Sequence, residues 1–211
     1  MLLNPAVEYF GLYVVLLFSI CVHEMLHAYA ADRCGDQTAR FLGRVTLNPL
    51  PHIDPMGTVL FPLAAMLLRA PFLIGWAKPV PVNPRNFRNP KRDDIVVSLA
   101  GVAGNFSLAI AAALIFRLLA LLPLPRSSLP IFFILGMCMH INVLLGVFNL
   151  IPLPPLDGSH VLLHFLPFEA AVKYRRIAPY SFFILIMLLW SGLLWHLLKI
   201  PMAIIDAIAG I

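Results

Sequence analysis

Residues 11–31 read GLYVVLLFSICVHEMLHAYAA, an apolar run that carries two histidines and a glutamate near its end. The pentapeptide HEMLH, from His23 to His27, has the form H-E-x-x-H. A spacing of four residues places both imidazoles on one face of a helix, one turn apart, where they can bind a single zinc ion. Glu24 lies beside them, placed to take a proton from a water that the zinc activates. The pattern predicts a hydrolytic metal centre.

The composition of the whole chain places this helix in a membrane. Hydrophobic residues make up 61% of the sequence and charged residues only 12%, about half the charged fraction of soluble proteins. The apolar residues form long runs, which is typical of bilayer-spanning helices. Ionisable side chains inside such a helix are costly unless they have a partner or a function. A polar contact between helices without metal is therefore the less favoured interpretation of the pentapeptide.

Five hydrophobic segments organise the chain: 7–31, 56–74, 95–122, 131–151 and 179–198, followed by a short apolar tail. None of the connections is long enough to hold a second core. The pattern predicts an all-α polytopic membrane protein with one membrane-embedded domain, residues 1–211, and four main transmembrane helices.

Basic residues in the connections indicate the orientation. They cluster after the first segment, before the third and before the last: Arg33, Arg40, Arg44, Lys78, Arg85, Arg88, Lys91, Arg92, Lys173, Arg175 and Arg176. The positive-inside rule places all three loops in the cytoplasm, and the N-terminus and the loop at Arg126 on the other side. The net charge of +5 is thus evidence about orientation and not about nucleic-acid binding.

A third protein ligand is needed, because a catalytic zinc site usually has three and leaves the fourth position for water. Asp157 is the candidate, in the sequence NLIPLPPLDG at 149–158, where the prolines must end the fourth hydrophobic helix. Irregular backbone at membrane depth is tolerated only where it is buried in protein or lines a water-filled cavity. The alternative is an Asp-Gly turn at the membrane surface. The occurrence of this proline-rich sequence together with the pentapeptide favours Asp157 as a zinc ligand.

To bind one zinc ion, His27 and Asp157 must lie at the same membrane face, and this requirement limits how often the chain between them can cross the membrane. Segments 95–122 and 131–151 supply two crossings, so segment 56–74, which has basic flanks at both ends, must supply none. A helix of about 14 residues rises only roughly 21 Å, less than the roughly 30 Å hydrocarbon core. We therefore predict a re-entrant hairpin: a short helix enters the membrane, and the chain returns as an extended edge through residues 78–83.

These motifs together resemble the site-2 protease family of intramembrane metalloproteases, peptidase family M50. The H-E-x-x-H and N-x-x-P-x-x-P-x-D-G motifs both match, and AGVAGN at 100–105 stands where the family has Ala-Gly-Pro-x-x-Asn. The stretches FLGRVTLNPLPHIDP at 41–55 and GWAKPVPVNP at 75–84 are similar to the short prokaryotic branch, which lacks a PDZ domain. The resemblance implies one Zn²⁺ per chain held by His23, His27 and Asp157, with Glu24 as general base.

The resemblance also implies a substrate and further site residues. Asn149 would hold the scissile carbonyl or the developing oxyanion, and Asn105 would have a polar role near the site, beside Gly101 in a close helix contact. The implied activity is hydrolysis of peptide bonds within transmembrane segments of membrane proteins, in contact with membrane lipid. In the family, an extended segment that dips into the membrane is thought to pair with the unwound substrate, a form of strand addition. The expected location is a prokaryotic cell membrane, with the active site toward the cytoplasm.

Two other classes of function remain open. A cation transporter or sensor could use the same ligands without hydrolysis, but transport favours several polar groups along a path, and the spans offer little beyond this cluster. An inactive scaffold would be expected to lose Glu24 or a ligand. The remaining polar pairs are expected to be structural: His160 and His164 at the interface or in the core, His52 with Asp54 in a proline-rich turn, and His140 with Asn142 in hydrogen bonds between helices.

Overall fold

The computed structural model describes residues 5–68, 75–125 and 128–211. In those residues the regular structure is helical: α1 Pro5–Cys34, α2 Thr38–Phe41, α3 Pro55–Leu67, α4 Pro90–Ala120, α5 Leu129–Asn149, α6 Asp157–Leu163, α7 Phe168–Arg175, α8 Ser181–Trp190 and α9 Leu193–Ala209. Short 3₁₀ turns occur at Leu50–His52, Pro84–Asn86 and Ala178–Tyr180. The first half of α3, Pro55–Leu60, is π-helical.

Three of these helices, α1, α4 and α5, are long and apolar enough to cross a membrane. The pair formed by Phe168–Trp190 and α9 passes the same test if its two bent halves are taken as one span. The prediction of an all-α polytopic membrane protein with four main spans is confirmed in this form. Helices α1 and α4 also extend beyond their predicted apolar limits. At α4 the extra turn is polar, and it begins at Pro90 because the Asp93 carboxylate accepts the Asn89 N–H at 2.7 Å.

Small residues let the long helices pack closely. Ala109 and Ala113 of α4 are completely buried against Met139 and Val143 of α5, and Leu198 of α9 closes the same cluster. Without a hydrophobic driving force in lipid, such close contact through small residues is what holds membrane helices together.

The last hydrophobic segment differs from the prediction. Instead of one helix over 179–198 followed by a short apolar tail, α8 ends at Trp190, and α9 continues to Ala209 at an angle of 67°. Gly192 at the break has φ 74°, a left-handed conformation that favours glycine. The tail belongs to the core, since Ile205 is only 3% exposed and Ala209 only 2%. Hydropathy alone does not reveal a break within an apolar run.

The predicted re-entrant region is partly described. Helix α3 is short, as expected, and residues 69–74, where the chain would turn, lie outside the described residues. Residues 75–83, here called the return segment, contain no helix and form no β-ladder. The Trp76 N–H donates to the Gly57 carbonyl at 3.3 Å, and the Trp76 carbonyl accepts the Thr58 hydroxyl at 2.8 Å. The chain thus comes back beside the start of α3.

Candidate metal centre

The three predicted ligands meet in the structure. The Nε2 atoms of His23 and His27 lie 2.9 Å apart, and Oδ2 of Asp157 lies 3.3 Å from the first and 3.4 Å from the second. Ligand atoms at about 2.0–2.1 Å from a tetrahedral zinc ion are about 3.3 Å from one another. Both histidines are buried, at 7% and 8% exposure. The arrangement therefore has the size of a single zinc site.

The hydrogen bonds behind the imidazoles decide which nitrogen faces the centre. His27 Nδ1 donates to the Val97 carbonyl at 2.7 Å, and His23 Nδ1 donates to the Asn105 side-chain oxygen at 2.7 Å. With the proton on Nδ1, each Nε2 presents a lone pair, which is the state that binds a metal. Oδ2 of Asp157 is buried and has no hydrogen-bond partner among the described residues. Three acceptor atoms that converge in a buried site fit a divalent cation. No donor group of the described residues takes the place of that cation.

Helix α4 can approach α1 this closely because Gly101 has no side chain. A Cβ atom at Gly101 would lie 2.4 Å from Nε2 of His27 and 2.6 Å from Cε1 of His23. One turn later, a Cβ atom at Gly104 would lie 2.1 Å from Leu26. The two glycines thus set the distance between the helix that carries the imidazoles and the helix that orients them. The expected role of Gly101 in close helix packing agrees with this geometry.

The proline-rich stretch after α5 carries Asp157 to the histidines. Short turns are closed by the Leu153 N–H on the Ile151 carbonyl and the Leu156 N–H on the Leu153 carbonyl, and all three of these side chains are buried. Helix α6 then begins at Asp157. Gly158 is required there, because a Cβ atom would lie 2.2 Å from the Leu150 carbonyl oxygen. The structure therefore places the Asp-Gly pair inside the protein beside the imidazoles, and not in a turn at the membrane surface.

The return segment covers Glu24. Oε2 of Glu24 accepts the Val80 backbone N–H at 2.9 Å. The segment is held by Arg44, a residue that is only 4% exposed, whose guanidinium donates to the carbonyls of Lys78 at 2.9 Å, Pro79 at 2.7 Å and Pro51. From the sequence, Arg44 is expected only to contribute to the orientation of the loops. No local pattern marks it as a support for the site, because its three acceptors are backbone carbonyls.

A buried chain of polar side chains continues behind His23. The Asn105 amide donates to the side-chain oxygen of Asn142 at 2.9 Å, and the Asn142 amide donates to the Ser19 hydroxyl at 2.9 Å. Ser19, Asn105 and Asn142 are all completely buried. Because Asn105 donates through nitrogen to Asn142, its oxygen must point at His23. The expected interhelical hydrogen bonds of Asn142 are confirmed, whereas Ser19 on its apolar helix gave no signal in the sequence.

Asn149 is not brought into direct contact with the ligands. It is the last residue of α5, and its amide donates to the Leu145 carbonyl one turn earlier at 3.0 Å. The described hydrogen bonds do not join it to His23, His27 or Asp157. Its role toward a substrate carbonyl stays a prediction.

Most members of the other polar pairs have structural partners, as expected. Asp54 caps α3 by accepting the N–H groups of Met56 at 3.0 Å and Gly57 at 2.7 Å. Three further histidines pair with a carbonyl or a carboxylate: His52 with Thr46 at 2.9 Å, His140 with Asp206 at 2.9 Å, and His164 with Asp94 at 2.6 Å. His160 is exposed.

Comparison with known proteins gives a consistent result. The sequence model of Peptidase family M50 matches residues 124–191. Several relatives carry the name "Putative zinc metalloprotease". Among them, YwhC of Bacillus subtilis (strain 168) is 36% identical over 89% of this chain and 85% of its own length, and Rip2 of Mycolicibacterium smegmatis is 31% identical over 86% and 69%. Zinc metalloprotease MJ0392 of Methanocaldococcus jannaschii is 23% identical over 76% of this chain and 36% of its own length. No solved structure shows a significant match.

Proposed function

We propose a division of catalytic roles in this chain, which belongs to peptidase family M50 and is an intramembrane zinc metalloprotease. His23, His27 and Asp157 hold the zinc ion, and the substrates are transmembrane segments of other membrane proteins. The observation that carries this assignment is the convergence of two Nε2 lone pairs and one unpartnered carboxylate oxygen within 3.4 Å of one another. Each comes from a position that the family motifs share with this sequence.

A zinc ion held there supplies Lewis acidity, which makes a scissile carbonyl more electrophilic and water more acidic. Glu24 takes a proton from the attacking water and delivers it to the nitrogen of the leaving amine. Its Oε2 accepts the Val80 N–H, so Oε1 is the oxygen that accepts the proton. The water oxygen bonds to the carbonyl carbon first, and the peptide C–N bond then breaks once its nitrogen has received the proton from Glu24.

The two asparagines have separate roles in this proposal. Asn105 keeps the His23 ring in the tautomer and orientation that a metal ligand needs, and the 2.7 Å hydrogen bond between them supports this role. Asn149 turns its amide from the Leu145 carbonyl to the substrate carbonyl oxygen when substrate is bound. Its position at the end of α5, where the proline-rich stretch leads to Asp157, supports this second role.

The return segment is the surface against which substrate is held. Its backbone at Lys78 and Pro79 is fixed by Arg44, and Val80 touches the catalytic carboxylate. A transmembrane helix must unwind before a peptide bond inside it can be cut, and an extended neighbour can hold the unwound strand. The site opens toward the cytoplasm of a prokaryotic cell, because the loops that carry most of the basic residues lie at its end of the bundle.

A reconstituted cleavage assay tests the proposed base. Wild type, Glu24→Gln and the control Glu169→Gln, which changes an exposed carboxylate on α7, are placed in liposomes with a single-span substrate. We expect Glu24→Gln to retain zinc and to cleave at least about 100-fold more slowly, while the control cleaves normally. Cleavage by Glu24→Gln at the wild-type rate would contradict the assignment. Full zinc content without cleavage by any of the three proteins would indicate a cation transporter or sensor.

A further inference from the structure

A polar cavity of about 350 Å³ lies at the end of α1, away from the metal centre. Its lining combines three guanidinium groups with one carboxylate: Tyr29, Asp32, Arg33, Gln37, Arg40 and Arg88. No lysine lines it. Arginine is the side chain that best recognises phosphate, because its planar fork can donate two parallel hydrogen bonds.

Three separate parts of the chain build this cavity. Arg33 stands in the last turn of α1, and Arg40 in α2 pairs with Asp32 at 2.7 Å. The Asp32 side chain is only 5% exposed, so Arg40 is anchored at a buried carboxylate. The third part is the turn before α4, where the Arg88 backbone N–H donates to the Cys34 carbonyl at 3.1 Å.

The cavity carries uncompensated positive charge. Arg40 is balanced by Asp32, but neither Arg33 nor Arg88 has a carboxylate within ion-pair distance in the part of the chain that the structure describes. Two exposed arginine residues thus face a cavity whose one carboxylate among the described residues, Asp32, is already paired with Arg40. An anionic ligand would supply the missing partner.

One face of α1 carries both lipid-exposed side chains and Tyr29 of this cavity. Exposed side chains that recur every three or four residues lie on one face of a helix, and α1 has such a stripe: Val7 at 53%, Phe10 at 61%, Val14 at 46% and Phe18 at 48% exposure. Tyr29, at 46% exposure, lies on the same face three turns later, beyond the buried Cys21 and Val22. Because α1 is a membrane span, this stripe is in contact with acyl chains. Arg33 stands one turn beyond Tyr29, at the level where headgroups begin.

The loop after α2 indicates the same depth. Phe41, Leu42 and Leu50 are 80%, 62% and 71% exposed. Large apolar side chains with this exposure are stabilised by insertion into the membrane interface, where they leave water. Phe41 and Leu42 follow Arg40 directly in sequence, so the cavity lies at the membrane surface and not in bulk water.

We propose that this cavity binds the phosphodiester headgroup of an anionic phospholipid, whose acyl chains enter the bilayer beside Tyr29. Arg33 and Arg88 hold the phosphate oxygens, and Tyr29 packs at the junction of headgroup and acyl chain. Basic pockets between membrane helices on the cytoplasmic side are suited to such headgroups. The same helix carries His23, Glu24 and His27, so a bound lipid fixes the depth of the catalytic site in the bilayer.

Lipid binding is tested by native mass spectrometry and thermal unfolding. The purified full chain is placed in nanodiscs of phosphatidylcholine alone, or with one-third phosphatidylglycerol. Three double variants are compared with wild type: Arg33→Gln with Arg88→Gln, Arg33→Lys with Arg88→Lys, and the control Arg175→Gln with Arg176→Gln, which removes the same charge from an exposed basic cluster at and after the end of α7. Inorganic phosphate is added to the phosphatidylcholine nanodiscs as a separate arm.

We expect wild type and the control to retain phosphatidylglycerol and to unfold at a higher temperature with it. The glutamine double variant should bind phosphatidylglycerol less tightly by about fivefold for each guanidinium removed. The affinity of the lysine double variant should lie between those of wild type and the glutamine variant, because the positive charge remains but the two parallel donors of the guanidinium are lost. An equal loss in the control would overturn the proposal in favour of general surface charge. Equal stabilisation by inorganic phosphate would overturn it in favour of a soluble anion.

Discussion

At the scale of the residue, the groups behind the two imidazoles matter as much as the imidazoles. His27 is oriented by a backbone carbonyl, which no side-chain substitution removes, whereas His23 depends on the Asn105 side chain. That side chain is itself oriented by Asn142 and Ser19, all of them excluded from water. Buried polar chains of this kind hold a single arrangement only when every member is satisfied.

Substitution of Asn105 should weaken zinc binding without removing a ligand. In Asn105→Ala, His23 loses the acceptor that fixes its tautomer, and we expect the zinc dissociation constant to rise about 10- to 100-fold. Competition with a chelator of known affinity measures it. Ser107→Ala is the matched control on α4, because Ser107 is exposed and bonds only to its own helix at Ala103. Unchanged zinc affinity in Asn105→Ala would show that the Asn105 contact does not tune the ligand.

At the scale of the element, the separation of α1 and α4 decides whether a site exists. Two imidazoles one turn apart on α1 become a metal centre only where α4 comes close enough to accept a hydrogen bond from the Nδ1 atom of each ring. That approach depends on the missing side chains at Gly101 and Gly104.

One added methyl group at Gly101 should therefore damage the centre. In Gly101→Ala, the Cβ atom would overlap His27 and His23, so the rings must turn or the helices must separate. We expect lower zinc content and loss of cleavage, although alanine favours the helix by about 1 kcal/mol over glycine. Gly136→Ala on α5 is the control, since no atom lies within 4 Å of its added Cβ. Zinc content and cleavage in Gly101→Ala equal to those in Gly136→Ala would contradict this account.

The contacts of Asp36, which join the end of α1 to the chain before α4, predict that the stability of the protein depends on pH. The completely buried Asp36 follows α1 and accepts the Asn83 N–H at 2.7 Å, the Asn86 amide at 2.8 Å and the Thr38 hydroxyl at 2.5 Å. Burial by itself raises the pKa of the Asp36 carboxyl, but these hydrogen bonds outweigh it and hold the pKa below its usual value. The charged form is thus favoured by folding, and its contribution is complete above the unfolded pKa of about 3.9 and disappears as the pH falls through the lower folded value.

We expect Asp36→Asn to lower the stability at neutral pH by roughly 1–3 kcal/mol. The difference from wild type should shrink below about pH 4. Thermal unfolding of both proteins in detergent across this range measures it, with Glu169→Gln as the control for loss of an exposed carboxylate. A difference that stays constant as the pH falls would exclude the ionised Asp36 as its source.

At the scale of the whole molecule, the site requires both ends of a long stretch of chain to lie on one membrane face. Helices α4 and α5 provide two crossings between the histidines and Asp157. The return segment contacts the start of α3 through Trp76, so α3 adds no crossing.

Topology reporters should follow this arrangement. Fusions after Asp36, after Arg88 and after Arg176 should report the cytoplasm, because these positions lie in the basic connections. A fusion after Leu124, between α4 and α5, should report the opposite side. Placement of Asp36 and Arg88 on opposite faces would mean that 56–74 crosses the membrane, and Asp157 would then be out of reach of the histidines.

The chemistry of the protein is largely a property of short stretches of sequence. Spacing within one turn of helix places His23, Glu24 and His27 together wherever that helix forms, and a chain so rich in apolar residues forms it in a membrane. The proline-rich stretch before Asp157 likewise predicts irregular backbone from local sequence, because proline lacks the N–H that a helix needs.

Tertiary structure decides what surrounds that chemistry. The Val97 carbonyl behind His27 lies 70 residues away, and the Val80 N–H on Glu24 lies 56 residues away. Backbone groups of this kind occur at every residue, so no residue type marks them in advance. The break at Gly192 is not apparent from the sequence, because it lies within one apolar run that α8 and α9 share. Local spacing determines which side chains share a helix face, whereas the partners of those side chains depend on how closely separate helices pack and where the chain returns.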